Sequence, residues 1–530
     1  MVDLRWLPGS SAVALCLVLA LAATGCTSDH SGSAANGADE PAAPADTLVT
    51  GKSMTLDVLV YNIEYGGNAS TDKVIRSVDA DVVGVLESYN RLPEIARRTG
   101  YPYYNVELQL LSKYPILEPS GADGLYALLE VRPGYVVAFF NTHLDYVAYG
   151  PRLLASGMPV PDVLASEDEV RTSSMRILLP DLKELAAAGY PTFLTGDFNE
   201  PSSLDYTHDT VGMHAGVHEA VSWPVSKALL DIDFRDSYRE IHPDPAAVPG
   251  NTWGNLNGEQ HIAADRIDYV YSGGPVEATA SRLVGEQGGP DVDIGFRRWT
   301  SDHRAVVSTF DLSPVETPTT VSLDTRMLTR GDTLTVRYNS VTTSPATITV
   351  RRGGDGQANE TPQDNAGGED GVVTQRQVTG DSGTLTFPTR RFAPGGYEVA
   401  MDAADGSEIA QNEFWVRSRH PDVVLSCDRS AYAVNEPVTV TWDDGPANRW
   451  DWVAVYRAEA ADPHKDPYLL WGYTGGHNSG ALPPTVSGSI TFDASSQGKL
   501  WPLPPGKYVV RYLLTDQYQS VGRATFTVKR

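Results

Sequence analysis

The sequence predicts an α/β layered domain followed by two β-sandwiches. From Thr55 to about residue 313, short apolar runs of strand length alternate with helical stretches. After Ser313 the pattern becomes evenly spaced short strands with Pro-Gly turns, and it occurs twice. The length of 530 residues agrees, being too great for a single core.

The N-terminus reads as an export signal. Arg5 precedes an apolar run from Ala12 to Ala23, too short to span a membrane but of the length of a signal-peptide core. Thr24-Gly25-Cys26 resembles a bacterial lipobox, although Ala23 stands where that motif usually has leucine. The expectation is a signal peptide over residues 1–25 and an exported, surface-bound or extracellular protein, anchored to the membrane through lipidated Cys26. Residues 26–51 are mostly Ser, Ala, Gly, Asp and Pro without apolar period, which predicts a disordered tether. Of three cysteines only Cys427 then remains, so no intrachain disulfide can form, and Cys427 reads as a small buried hydrophobe.

Within residues 52–313, five runs have the length and β-branched or aromatic content of buried strands. They are Leu56 to Tyr61, Asp81 to Leu86, Tyr135 to Phe140, Thr192 to Leu194 and Ile267 to Tyr271. Ser166-Glu167-Asp168-Glu169 reads as a capping box opening a helix with Val170, Ile177, Leu178, Leu182 and Leu185 on one face. Pro180 should kink or split that helix, and Gly189 should end it.

The repeat defines two sandwiches, at 314–418 and 419–530. Gly331 to Val336 answers Asn435 to Val440, Ser382 to Phe387 answers Ser487 to Phe492, and Pro394-Gly395-Gly396-Tyr397 answers Pro505-Gly506-Lys507-Tyr508. Gly353 to Gly371 reads as an acidic, disordered loop. Neither sandwich holds an acidic-histidine cluster, so both are expected to be spacers or docking modules. The competing expectation is that Trp450, Trp452 and Trp471 pack against the first domain and shape its mouth.

Six segments of the first domain follow strands with polar residues: Asn62, Glu87, His143 with Asp145, Asp197 with Asn199, Asp268, and Asp302-His303. Each alone has a plain structural reading as a turn, a solvated strand end or a cap. Together, strand ends of a layered α/β domain converge on one edge, where sites form. Four carboxylates there (Glu87, Asp197, Asp268, Asp302) repel one another unless a cation is present, and oxygen ligands without thiolates favour Mg²⁺ or Mn²⁺. His208, His214 and His218 could hold a second metal or be incidental in a loop. Arg152 and Arg171 could clamp a phosphate or pair with surface acids.

This ordered set, with Leu111-Ser112-Lys113-Tyr114-Pro115-Ile116, resembles the endonuclease/exonuclease/phosphatase superfamily over about residues 55–310. The resemblance implies a four-layered, deoxyribonuclease I-like α/β sandwich and divalent-metal-dependent hydrolysis of phosphoesters. It implies that Asn62 and Glu87 bind the metal, with Asp302 completing or seconding the site. By the same resemblance Asp197 orients or deprotonates the attacking water and Asn199 contacts phosphate. His303, oriented by Asp268, stabilises the pentacovalent phosphorane, and His143 acts near the leaving oxygen. Asp145 is a candidate to fix the tautomer of His143. Asp451 to Tyr456 makes the second sandwich similar to immunoglobulin-like modules attached to secreted bacterial phosphoesterases.

A formal net charge of −26 leans away from a wide nucleic-acid groove, which needs a basic footprint. Three functions therefore stand. The first is a phosphoesterase of small or lipid-linked substrates, acting as a monomer; the second is a secreted nuclease. The third is a binding protein on a degenerate scaffold, disfavoured because the polar set is complete.

Overall fold

A computed structural model describes residues 48–254, 264–339, 346–353, 371–378, 380–419, 423–448, 450–475, 486–498, 500–515 and 517–530. The expected signal peptide and tether, with Cys26 and most of the Gly353 to Gly371 loop, lie almost wholly outside the described residues.

The first domain is built on two sheets. One runs in the order Val292–Phe296, Val276–Glu286, Ala305–Leu312, Met54–Asn62, Val82–Leu86, Leu110–Ser112, Tyr103–Asn105. The other runs Ile116–Leu117, Ala127–Arg132, Tyr135–His143, Thr192–Asp197, Asp268–Gly273, Arg235–Asp236. Leu56, Val58, Val60, Phe139, Phe193 and Phe310 fill the space between the sheets. Helices Ala69–Val78 and Leu92–Thr99 cover the outside of the first sheet, and Ser173–Ala187 and Pro224–Leu230 that of the second. Four layers result, as the resemblance implies. Residues of the central strands are buried on both faces, which is why they read as continuous apolar runs. At Gly84 a Cβ would fall 2.2 Å from the Thr195 hydroxyl and 2.6 Å from the Asn141 amide oxygen, so only glycine lets the sheets approach there.

Two helix expectations are corrected. The chain is already helical over Val160–Glu167, so Ser166 lies inside a helix and caps nothing. Continuity breaks at a π-helical turn, Asp168–Thr172, and not at Pro180, which sits within Ser173–Ala187. Pro180 is on the exposed face, where water can satisfy the carbonyl it deprives of a partner. Gly189, at φ +95°, closes the helix as expected.

Each following domain is a β-sandwich, and the repeat seen in the sequence is a repeat of structure. The first pairs a three-stranded with a five-stranded sheet, the second a three-stranded with a six-stranded one. In each, a short strand runs parallel to the last long one: Met327–Thr329 beside Glu408–Arg417, and Ala431–Ala433 beside Ser520–Lys529. The repeated tyrosines do the same work, Tyr397 donating its hydroxyl to Ala393 and Tyr508 to Pro504. Cys427 is only half-buried at the edge of the second core, and burial pushes its thiol up to about 11.

The sandwiches are less independent of the first domain than their sequences imply. Glu118 and Arg326 form a buried ion pair at 3.2 Å across the first junction, and Asn412 donates to the Glu118 carbonyl at 2.6 Å. Val315–Glu316 also pairs with the Tyr135–His143 strand. The second sandwich reaches the loop after His143, where Tyr146 shares a hydrogen bond with Tyr468. Trp452 and Trp471 instead meet edge-to-face, as do Trp450 and Tyr473, within their own domain.

Candidate active site

Strand register assembles the site. Asn62 pairs with Leu86 across parallel strands, so Glu87 follows beside it. His143 pairs with Asp197 in the other sheet, and Asp197 pairs with Asp268 across an antiparallel neighbour. His303 lies just before Ala305–Leu312, which is antiparallel to Met54–Asn62 and therefore begins at the edge where the latter ends.

Asp197 is the centre. It is 1% exposed, and its Oδ2 accepts the Asn62 amide at 3.0 Å. The Nε2 atoms of His143 and His303 each lie 3.5 Å from the same oxygen. Its Oδ1 accepts the backbone N–H of Asn199 at 3.0 Å. Asn62 also donates to Glu87 at 3.1 Å, and Glu87 accepts the Tyr65 N–H at 2.8 Å.

The Nδ1 of His303 lies 2.9 Å from Asp268 Oδ2. Burial disfavours the imidazolium, but Asp268 and Asp197 outweigh it and raise the His303 pKa to about 10. Burial raises Asp268 to about 6 against the pull of His303. At neutral pH the pair is therefore an imidazolium against a carboxylate.

Asp197, Asp268 and His303 offer ligand atoms all within 4.8 Å of one another, and are the one such group of His, Cys, Asp and Glu among the described residues. An imidazolium is a poor ligand; the residues expected to hold a metal, Asn62, Glu87 and Asp302, lie instead at an outer rim beside Glu64, where the carboxylate oxygens are more widely spaced than in that group. Glu64 accepts the Asp302 N–H at 3.1 Å, and burial with the charges of Asp302 and Glu87 raises its pKa. A divalent cation would relieve that repulsion.

Other expectations change. Asp145 accepts the Val147 N–H at 2.8 Å, which fixes its loop; the carboxylate facing His143 is that of Asp197. Asn199, at φ +48°, spends one amide N–H on the Leu144 carbonyl at 3.0 Å, leaving the other for a ligand. Arg171 clamps no phosphate: fully buried, it pairs with Glu167 at 2.5 Å and donates to the Val147 carbonyl. His208 and His218 are exposed, while His214 stacks on Tyr206 with its Nδ1 3.4 Å from Asp265, so the three do not converge on a metal.

Sequence reasoning missed Glu64, Ser301 and Trp253. The Ser301 hydroxyl donates to the Asn62 carbonyl at 2.7 Å and accepts the His303 N–H at 3.0 Å, tying two site segments together. Trp253 donates its indole N–H to Asp302 at 3.1 Å. None of the three carries a local signal. The coordinates alone carry a mark at the acidic rim: Glu64, Tyr65, Glu87 and Tyr89 all have positive φ, and such strained non-glycine backbone gathers at functional sites.

Residues 59–303 match the Endonuclease/Exonuclease/phosphatase family, a window that opens just before Asn62 and closes on His303. An uncharacterised protein of Caenorhabditis elegans is 31% identical over 241 residues, covering 41% of this chain and 75% of that protein. Among solved structures, an endonuclease/exonuclease/phosphatase from Beutenbergia cavernae is similar at 16% identity and a TM-score of 0.32, over 68% of this chain and 99% of that one. A mannosyl-6-phosphatase of Bacteroides thetaiotaomicron is similar at 15% identity and a TM-score of 0.30, over 48% and 99%.

Proposed function

The chain belongs to the endonuclease/exonuclease/phosphatase family, and from that premise we propose that it is an exported, divalent-metal-dependent hydrolase of small or lipid-linked phosphoesters. Members of the family are hydrolases of phosphoesters. The observation that carries the rest is Asp197, whose Oδ2 is faced at once by Asn62, His143 and His303.

A carboxylate held this way orients a water molecule and takes its proton as the water oxygen bonds to phosphorus. His303, kept charged by Asp268 and Asp197, donates to a non-bridging oxygen where negative charge grows. His143, on the other flank of Asp197, is placed to protonate the departing alkoxide. The unspent amide N–H of Asn199 supports the same phosphate. Asn62, Glu87 and Asp302 would hold Mg²⁺ or Mn²⁺, which when bound supplies Lewis-acid neutralisation of the phosphate.

Export and anchoring are supported by the sequence from Arg5 to Cys26, and attachment at a membrane suits lipid-linked substrates. The acidic net charge supports small substrates over nucleic acid. The test is hydrolysis by the mature protein of bis-p-nitrophenyl phosphate, sphingomyelin, inositol phosphates, and linear and supercoiled DNA, with Mg²⁺, Mn²⁺ or EDTA. Metal-dependent turnover of a small or lipid phosphoester above DNA supports the proposal. Preference for DNA would establish the nuclease reading, and no turnover of any substrate would establish the binding protein.

A further inference from the structure

Beside the catalytic edge lies a cavity of about 370 Å³, within the size range of small-ligand sites. Trp253 links the two. On one side its indole N–H holds Asp302, and its ring centre lies 6.2 Å from that of the His303 imidazole. The Arg152 guanidinium stands 5.3 Å from the centre of the same indole, and Arg152 lines the cavity with Tyr206 and His214.

Most charges at the cavity are already matched. Asp205 pairs with Arg239 at 2.5 Å and Arg266 at 2.9 Å, and Arg266 also reaches Asp236 at 2.7 Å. Asp265 accepts the hydroxyls of Tyr149 and Tyr206, each at 2.7 Å, and faces His214. Arg152 is the exception. No carboxylate among the described residues lies within ion-pair distance of it, and its guanidinium lies over the indole face. An exposed guanidinium lying over an aromatic face at the side of an open cavity beside a reaction centre is suited to a planar anion, which it can hold with two parallel N–H donors. The Tyr206–His214 stack, with ring centres 4.0 Å apart, supplies a flat wall for the rest of the group.

We propose that Arg152 receives a second anionic group of the substrate, a carboxylate or phosphate carried on one alcohol of the phosphodiester whose phosphorus sits at Asp197. This deepens the phosphoesterase reading and rests on it. Such a diester could be a soluble ester or a lipid headgroup; the recognising chemistry is shared.

The test compares glycerophosphoserine with glycerophosphoethanolamine, which differ by one carboxylate. In excess EDTA, where binding is read without turnover, calorimetry on the mature protein should show the serine ester bound about tenfold more tightly. Arg152→Gln should abolish that preference, and Arg152→Lys should retain part of it. With metal restored, the ratio of kcat/KM for the two esters should follow the same order. Vesicles of phosphatidylserine and phosphatidylethanolamine form the lipid arm. An Arg152-dependent preference there as well assigns a lipid source, and one confined to the soluble pair assigns a soluble ester. Equal binding of the two esters by the wild type, or a preference that survives in Arg152→Gln, overturns the proposal. Failure of the hydrolase reading would show differently, as absent turnover of every substrate with the EDTA binding preference intact.

Discussion

The Nδ1 atom of His303 lies 2.9 Å from Oδ2 of Asp268, with both side chains buried. The pairing raises the histidine pKa from 6.5 to about 10, so the imidazolium persists across the neutral range. Because the folded value is raised, the stability it contributes is fully present below about pH 6.5 and is lost as pH rises through about 10. Asp268→Asn should lower kcat by about a hundredfold and shift the basic limb of the kcat/KM profile toward lower pH. The wild-type stability advantage over this variant should shrink as pH approaches 10. A basic limb that does not move in Asp268→Asn would refute the assignment.

Glu87→Gln and His303→Ala should each reduce turnover by about 10²–10⁴-fold, with kcat and kcat/KM falling together. The melting temperature of metal-free Glu87→Gln should change little, since Glu87 belongs to a rim of like charges, whereas His303→Ala leaves Asp268 buried without its partner and should melt lower. Steady-state kinetics and thermal melts decide this. Near-normal turnover in either variant would remove that residue from the mechanism.

Metal removal should abolish activity reversibly. Protein treated with EDTA and desalted is expected to be inactive until Mg²⁺ or Mn²⁺ is returned, with Zn²⁺ a poorer substitute at an all-oxygen site. Full activity in metal-free protein would show that the acidic rim serves another purpose.

Arg326→Met leaves Glu118 buried without its partner, and should cost about 3–5 kcal/mol of stability. Burial pushes the Glu118 carboxyl up and the Arg326 guanidinium pulls it back down, so the variant loses the charge that offsets its desolvation. The double variant Glu118→Leu, Arg326→Met should recover most of the loss. Denaturant unfolding of the three proteins measures it; an Arg326→Met protein as stable as the wild type would mean that the junction is not packed in solution.

Tyr468→Ala tests the second sandwich. Loss of its hydrogen bond to Tyr146 frees the loop that follows His143, and kcat/KM for bis-p-nitrophenyl phosphate should fall several-fold. An unchanged value would return the domain to the role of a spacer.

The sequence by itself determined the order of the domains, the doubly buried strands of the first and the repeat of the two sandwiches. These depend on local apolar period and turn chemistry, which the chain carries in consecutive residues. It also marked the polar residues that gather at the catalytic edge, because each directly follows or begins a strand. Their roles came from the family resemblance, not from spacing. Only the tertiary structure decided which atoms meet. Parallel and antiparallel register set Asp197 opposite both His143 and Asp268, residues far apart in the chain. Side-chain direction gave Asp145 to its own loop, Arg171 to a buried carboxylate and Arg152 to the face of Trp253. Nor could composition show Glu118 meeting Arg326 across a domain junction. Hydrogen bonds and ion pairs depend on ångström-scale distances between segments, and those are fixed by packing between the layers, which no local pattern encodes.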